Sequence, residues 1–406
     1  MKRQISTFLL GTTLALTYAG TASAQDKTIK IGALSDQSGL YADLGGPGST
    51  LAAQMAAEDS GLMKKGWKID IISGDHQNKP DIGSNIARQW FDVDKVDVIV
   101  DVPNSGVALA VNNVVKEKNG VYINSGAATS DLTNAQCSPN TVHWTYDTYM
   151  LANSTGQALV KSGGDSWFFL TADYAFGAAL ERDTSAVITA NGGKIVGGVK
   201  HPLNTADFSS FLLQAQASKA KVIGLANAGG DTTNSIKQAA EFGITKSGQK
   251  LAALLLFITD VKAIGLETAQ GLNFTETFYW DNNDDTRAFS KKFAARMKNG
   301  APPTMVQAGV YAGLIHYFKA MDAAGANSHD GIKVVNAMKA MPTDDPLFGK
   351  GVVQPNGRTI HDAYLFEVKK PSESKSAWDF YKLAGTVPGD KAFTPLDKST
   401  CALLKK

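Results

Sequence analysis

The chain has 406 residues, 40 lysines and arginines against 38 aspartates and glutamates, and 43% hydrophobic residues. That length holds two domains of common size with real cores. A charge balance this close to neutral excludes nucleic acid or an anionic membrane surface as the partner.

Residues Met1 to Ala24 read as an export signal. Lys2 and Arg3 give the positive start, Phe8 to Ala19 the mainly apolar centre, and Ala22-Ser23-Ala24 the small-residue cleavage site. Removing the leader leaves 38 basic against 38 acidic residues. Its apolar part is too short for a membrane span and no later segment approaches one, so a soluble, exported protein without membrane insertion is expected. No Cys stands at the cleavage point, so no lipid anchor is expected there.

From Thr28 strands and helices alternate. Ile29, Ile31 and Leu34 mark a first strand, and Leu51, Ala52, Met55 and Ala56 give the next helix its stripe. Trp67 to Ile72 is a strand, Asp81 to Phe91 a helix and Val96 to Val100 a strand. Val107 to Val115 recur at helical spacing, Asn119-Gly120 end that helix, and Val121 opens the fourth strand. After Trp144 the pattern starts afresh. Strands are read at Trp167 to Leu170, Lys194 to Val199, Lys221 to Ala226 and Leu251 to Phe257, with helices at Phe176 to Ala190, Asp207 to Ala217 and Asp231 to Phe242. Beyond Trp280 come three mainly helical segments (Asp285–Asn299, Thr304–Ala324, Gly331–Met341), a Gly-rich turn region and a strand, Ala363 to Val368. Apolar strands alternating with helices predict an α/β fold with two doubly wound, Rossmann-like units. The late helices either cover the first sheet or form a third domain.

The chemistry sits in loops at strand ends. Val121 to Asn124 runs into Ser125-Gly-Ala-Ala-Thr-Ser130, small residues offering hydroxyls and approachable N–H groups where open α/β sheets bind ligands. The same run also suits an ordinary cap-rich turn. Asp101-Val-Pro-Asn-Ser-Gly-Val107 and Thr171-Ala-Asp-Tyr-Ala-Phe-Gly177 repeat the strand, loop, helix pattern. The glycine-rich Ser38 to Thr50 has no lysine after Gly48 and lacks the dinucleotide spacing, so it reads as a turn lining a cleft, with Tyr41 and Leu44 as walls. The six histidines are scattered, with no zinc pattern and no Gly-x-Ser-x-Gly elbow. No metal or cofactor is expected, and binding is favoured over catalysis. Cys137 and Cys401 are the two cysteines, and an exported chain invites a bridge between them.

Together the three loops, in this order and spacing, resemble those of the leucine/isoleucine/valine-binding family, type I periplasmic receptors of ABC importers. The resemblance covers nearly all of the chain after the leader. It implies two lobes, 27–145 with 279–355 and 146–278 with 356–406, joined by three crossovers near residues 145, 278 and 355. It also implies a monomer that closes on a small-molecule ligand and docks on permease subunits in the periplasm. Asn104 or Ser105 would donate to a ligand carboxylate, with Ala127, Ala128 and Thr129 adding N–H and hydroxyl groups. Tyr174 would close from the second lobe, and Asn227 and Ala228 would line the opposite wall. Receptors of α-amino acids place a carboxylate against the ligand ammonium. Here the corresponding loop, Phe257-Ile-Thr259-Asp260, is shorter, and Asp260 is either that partner or a helix cap. A branched-chain amino acid and an aromatic or other apolar carboxylate both stay open. Tyr41, Trp144, Tyr174, Phe257, Tyr279 and Trp280 are the candidate walls for the latter. A ligand-sensing module and an exported enzyme are the rival classes.

Overall fold

The computed structural model describes residues 27–323 and 329–405, so the leader lies outside the described residues. The first strands are β1 (Thr28–Ser35), β2 (Lys68–Asp75), β3 (Val98–Asp101), β4 (Val121–Asn124) and β5 (Thr141–His143). They form one parallel sheet in the order β2-β1-β3-β4-β5. Its central strands are buried on both faces, which explains their unbroken apolar sequence. A second parallel sheet contains β6 (Ser166–Ala172), β7 (Lys194–His201), β8 (Val222–Ala226) and β9 (Lys250–Ala253), ordered β7-β6-β8-β9. In each sheet the order reverses beside the first strand, so the loops after β1 and β3, and after β6 and β8, open into a crevice.

The expected strand Leu251 to Phe257 is half right. The ladder ends at Ala253, and Leu254 to Phe257 leave the sheet as a buried apolar segment. The rest of the chain adds β10 (Asn273–Glu276), β11 (Pro342–Asp345), β12 (Gly349–Val353), β13 (Thr359–Ile360), β14 (Ala363–Val368) and β15 (Tyr381–Val387). β10, β14 and β15 make an antiparallel sheet whose Phe274, Phe366 and Tyr381 join the core of the second parallel sheet. The Gly-rich turn region is in fact the antiparallel set β11-β12-β13. Gly351 permits it, since a Cβ there would collide with the Ile360 carbonyl.

The late helices do return to the first sheet. Met305–Ala323 is apolar all round and buried, packing between Gly46–Asp59 and strands β3 and β4. Gly313 brings it close: an added Cβ would lie 2.6 Å from Ile123 Cγ2. Thus two lobes form, and the chain crosses between them after β5, after β10 and between β13 and β14. Arg358 ties the first and third crossings together. Its buried guanidinium donates to the Thr145 carbonyl (2.5 Å) and to Asp147 Oδ2 (3.4 Å). Cys137 and Cys401 are joined by a disulfide, as the sequence invites.

Candidate functional site

The carboxyl ends of β3 and β4 carry the most unusual backbone of the first lobe. Asp101 and Val102 have φ of +77° and +58°, which is rare for any non-glycine and strained for a β-branched residue. The turn is held by Val102 N–H donating to the Leu34 carbonyl (2.9 Å) and by Ser35 Oγ donating to Asp101 Oδ2 (2.7 Å). Ser35 Oγ in turn accepts from Gly46 N–H, which fixes the loop that carries Tyr41 and Leu44. Gly126 is obligatory: a Cβ there would lie 2.5 Å from Asp101 Oδ1 and 2.7 Å from Pro103 Cα.

Between the lobes lies a small cavity. The first lobe contributes Tyr41, Leu44, Pro103, Gly126 and Ala128, and the chain beyond the first crossing contributes Tyr146, Tyr174, Phe176, Ala228, Leu255 and Phe257. Tyr41 and Tyr174 meet across the cleft with their hydroxyls 2.6 Å apart, and Tyr146 donates to the Gly126 carbonyl (2.7 Å). Burial raises the pKa of Tyr41 and Tyr146 well above the ordinary phenol value and that of Tyr174 as well, so all three stay neutral. Among the described residues no charged side chain lines this cavity.

Polar capacity is concentrated on the first-lobe side. Asn104 caps the helix Ser105–Lys118, its Oδ1 accepting from Gly106 and Val107 N–H (2.9 and 3.1 Å). Its Nδ2 is buried and has no partner, as are Ser125 Oγ and Asp101 Oδ1. The N–H groups of Gly126 and Ala128 make no hydrogen bond to any described residue. Buried polar atoms are normally satisfied, so this cluster of unused donors (Asn104 Nδ2, Ser125 Oγ and the two N–H groups) beside one unused acceptor, Asp101 Oδ1, marks a place for a polar ligand group.

The other expected residues divide. Tyr41, Leu44, Ala128, Tyr174 and Ala228 line the cavity. Ser105 is turned to the loop, its Oγ accepting from Thr129 N–H (3.2 Å). Thr129 Oγ1 accepts from Asp131 N–H, and Ala127 N–H donates to Asn124 Oδ1 (2.9 Å). Ala127 belongs to the apolar cluster that includes Val107 and Val111, and neither Ala127 nor Thr129 is among the residues lining the cavity. Asn227 is buried among His201, Thr232 and Ser235, which take both ends of its amide. Thr259 and Asp260 line a separate recess of about 490 Å³ with Asp43, Gly229 and Gly230, which shares Leu44 with the cavity. Asp260 Oδ2 accepts from Phe257 N–H (2.9 Å) at the start of the helix Ile258–Ile264, which makes it a cap. Burial raises its pKa to about 7. Of the six aromatic candidates, Tyr41, Tyr174 and Phe257 line the cavity. Trp144 packs on His316, and Tyr279 stacks on Tyr381 beside Trp280 in the second-lobe core. Pro103, Gly126, Tyr146, Phe176 and Leu255 were not anticipated.

The described chain matches the model of the family "Periplasmic binding protein" over residues 28–375. It belongs to that family. Among solved structures, a periplasmic binding protein from Burkholderia mallei is 52% identical, with TM-score 0.90, over 93% of this chain and all of that one. A branched chain amino acid ABC transporter periplasmic ligand-binding protein from Burkholderia xenovorans LB400 is 40% identical, with TM-score 0.82, over 93% of this chain and 100% of that one. A Leu/Ile/Val-binding protein homolog 6 from Brucella melitensis is 25% identical over 89% of this chain and 93% of its own length. The periplasmic binding proteins it resembles are solute-binding components of ABC transporters, and this chain takes that role. Among the described residues no helix is long and apolar enough to cross a membrane.

Proposed function

We propose that this binding protein carries a small aromatic carboxylate, a benzoate- or phenylacetate-sized acid without an α-ammonium, to the permease of its importer. The observation that carries this reading is the cavity wall: five aromatic rings and no anionic side chain to meet an ammonium. A buried ammonium without a counter-charge would cost several kcal/mol. Asp260 caps Phe257 N–H instead, and Asp101, another nearby carboxylate, lies behind Gly126 and accepts from Ser35 Oγ. The ligand carboxylate is taken to lie on the first-lobe side, within reach of the Gly126 and Ala128 N–H groups and Asn104 Nδ2. The cavity as it stands holds only about 10 Å³, so the lobes part at the Tyr41–Tyr174 contact to admit the ring between Tyr41, Tyr146, Tyr174 and Phe257.

In this reading the lobes are 27–145 with 279–360 and 146–278 with 361–406, the third boundary lying past the expected 355 because β13 pairs with β12. The leader is removed after Ala24, and the exported protein works as a monomer without enzymatic turnover. The likeness to the Burkholderia xenovorans protein supports a branched-chain amino acid as the rival ligand. A thermal-shift screen of benzoate, 4-hydroxybenzoate, phenylacetate, leucine, valine and phenylalanine separates the two. A ligand at a hundred times its Kd stabilises by about 2.7 kcal/mol. Shifts with the aromatic acids and none with the amino acids are expected; the reverse pattern would overturn the proposal.

A further inference from the structure

The cleft makes no use of the C-terminal tail, yet the tail is built into the hinge. It leaves β15 in the second lobe and reaches Cys401, which is bonded to Cys137 in the first lobe. On the way, Lys391 presents its carbonyl to Asn153 Nδ2 of the second lobe (2.6 Å). Two residues later, Phe393 lies over the crossing segments themselves. Its ring centroid is 4.4 Å from the Arg358 guanidinium carbon, and it meets the His361 ring edge-on at 5.5 Å. His361 is bonded in turn to the Trp144 carbonyl (2.7 Å), so Phe393 touches the groups that lock the first crossing to the third. Farther on, Ser399 Oγ donates to the Thr133 carbonyl of the first lobe (3.2 Å).

We propose that the disulfide makes this tail a fourth connection between the lobes, a strap that limits how far they separate and twist. Three chain crossings leave a hinge free to rotate about their common axis. A covalent tether on one flank, seated on the pivot through Phe393, removes part of that freedom. The bridged protein therefore samples a narrower set of open forms, and a larger fraction of it is poised to close on ligand. Reduction of the bridge releases the strap, so the receptor acquires this bias only where the two cysteines are oxidised.

The test is hydrogen exchange on the unliganded, full-length exported protein, comparing the bridged form with Cys137→Ser/Cys401→Ser. The lobes meet at the cleft rim, where Gly229 and Gly230 pack on Leu40 and Tyr41. Exchange at residues 38–44 and 226–233 should rise several-fold in the variant while β1, β3, β6 and β8 keep their protection. Treating the wild type with a thiol reductant should reproduce the effect. Phe393→Ala, which keeps the bridge and stands in if the double variant does not accumulate, should show part of it. Unchanged rim exchange with a lowered melting temperature would mean that the bridge only secures the tail. An equal rise in the core strands would mean general loosening. Either result overturns the proposal.

Discussion

The two walls of the cleft differ in how their polar groups are used. On the first-lobe wall Asn104 Nδ2, Ser125 Oγ and Asp101 Oδ1 are buried without partners, next to a strained turn. On the second-lobe wall most polar side chains bond to their own lobe: Asn227 to His201 and Thr232, Asp231 to Asn204 and Thr205 N–H, Asp260 to Phe257 N–H, while Thr259 Oγ1 in the separate recess is buried without a partner. What the second wall presents to the cavity is rings and methyl groups. The first wall carries the larger share of unpartnered polar atoms beside the cavity; the second supplies mainly apolar cover. A ligand with one charged end and one apolar end fits that asymmetry, with the charged end held first and the rings closing over it.

The steepest way to break this arrangement is at Gly126. Gly126→Val would drive side-chain atoms into Asp101 and the Pro103 backbone, so a loss of about 3 kcal/mol or more of stability and of all ligand binding is expected, read by thermal denaturation and calorimetry. Next comes Asn104→Asp. Asp caps a helix as well as Asn does, but at this buried position its unpaired charge should lower the melting temperature of the empty protein, so affinity is compared where both proteins are fully folded. The unused Nδ2 donor becomes an anionic oxygen facing the ligand carboxylate. Losing a hydrogen bond to a charged group costs about 1.5–3 kcal/mol, and the like charge adds to it. Unchanged affinity would remove Asn104 from the site. Tyr174→Phe should act more weakly, deleting the 2.6 Å hydroxyl contact with Tyr41 that spans the lobes. A drop of about 1 kcal/mol in affinity, carried mainly by faster dissociation in stopped-flow measurements, is expected.

The smallest effect belongs to Asp260→Asn, which sharpens the comparison by its silence. Asn retains an oxygen for Phe257 N–H, so ligand affinity should not move. Its pH signature should. Burial raises the folded pKa of Asp260 from 3.8 to about 7, so the folded state holds a proton that the unfolded state has lost between those values. Stability carried by that proton is lost as pH rises from about 4 to about 7. The variant has no such proton, and the wild-type melting temperature minus that of the variant should fall across this window. The difference is the right readout, because the buried His76 and His361, with pKa values lowered to about 4, tilt the whole-protein profile the opposite way.

Much of this was legible in the chain. Apolar strand runs and helix stripes give both parallel sheets, because burial on two faces leaves no alternative composition. Side-chain direction within loops was harder to read. Ala127 and Ala128 are identical neighbours, yet one belongs to the apolar cluster of Val107 and Val111 and the other lines the cavity. Nothing in their spacing tells them apart. Leu255 was hidden inside an apolar run that reads as strand, although its second half leaves the ladder to line the cleft. Tyr146 follows β5 as the other site loops follow their strands, and that parallel was the available signal. The antiparallel set around Gly351 was masked by glycines that close strand approach demands.

The most direct measurement is a titration of the wild-type protein with matched pairs that differ by one ammonium: phenylacetate against phenylglycine, and 4-methylpentanoate against leucine. With no counter-charge in the cavity, the desamino acid should bind the more tightly in each pair, phenylacetate best of all, and by at least tenfold, or about 1.4 kcal/mol. Tight binding of leucine with no measurable binding of 4-methylpentanoate would contradict the account.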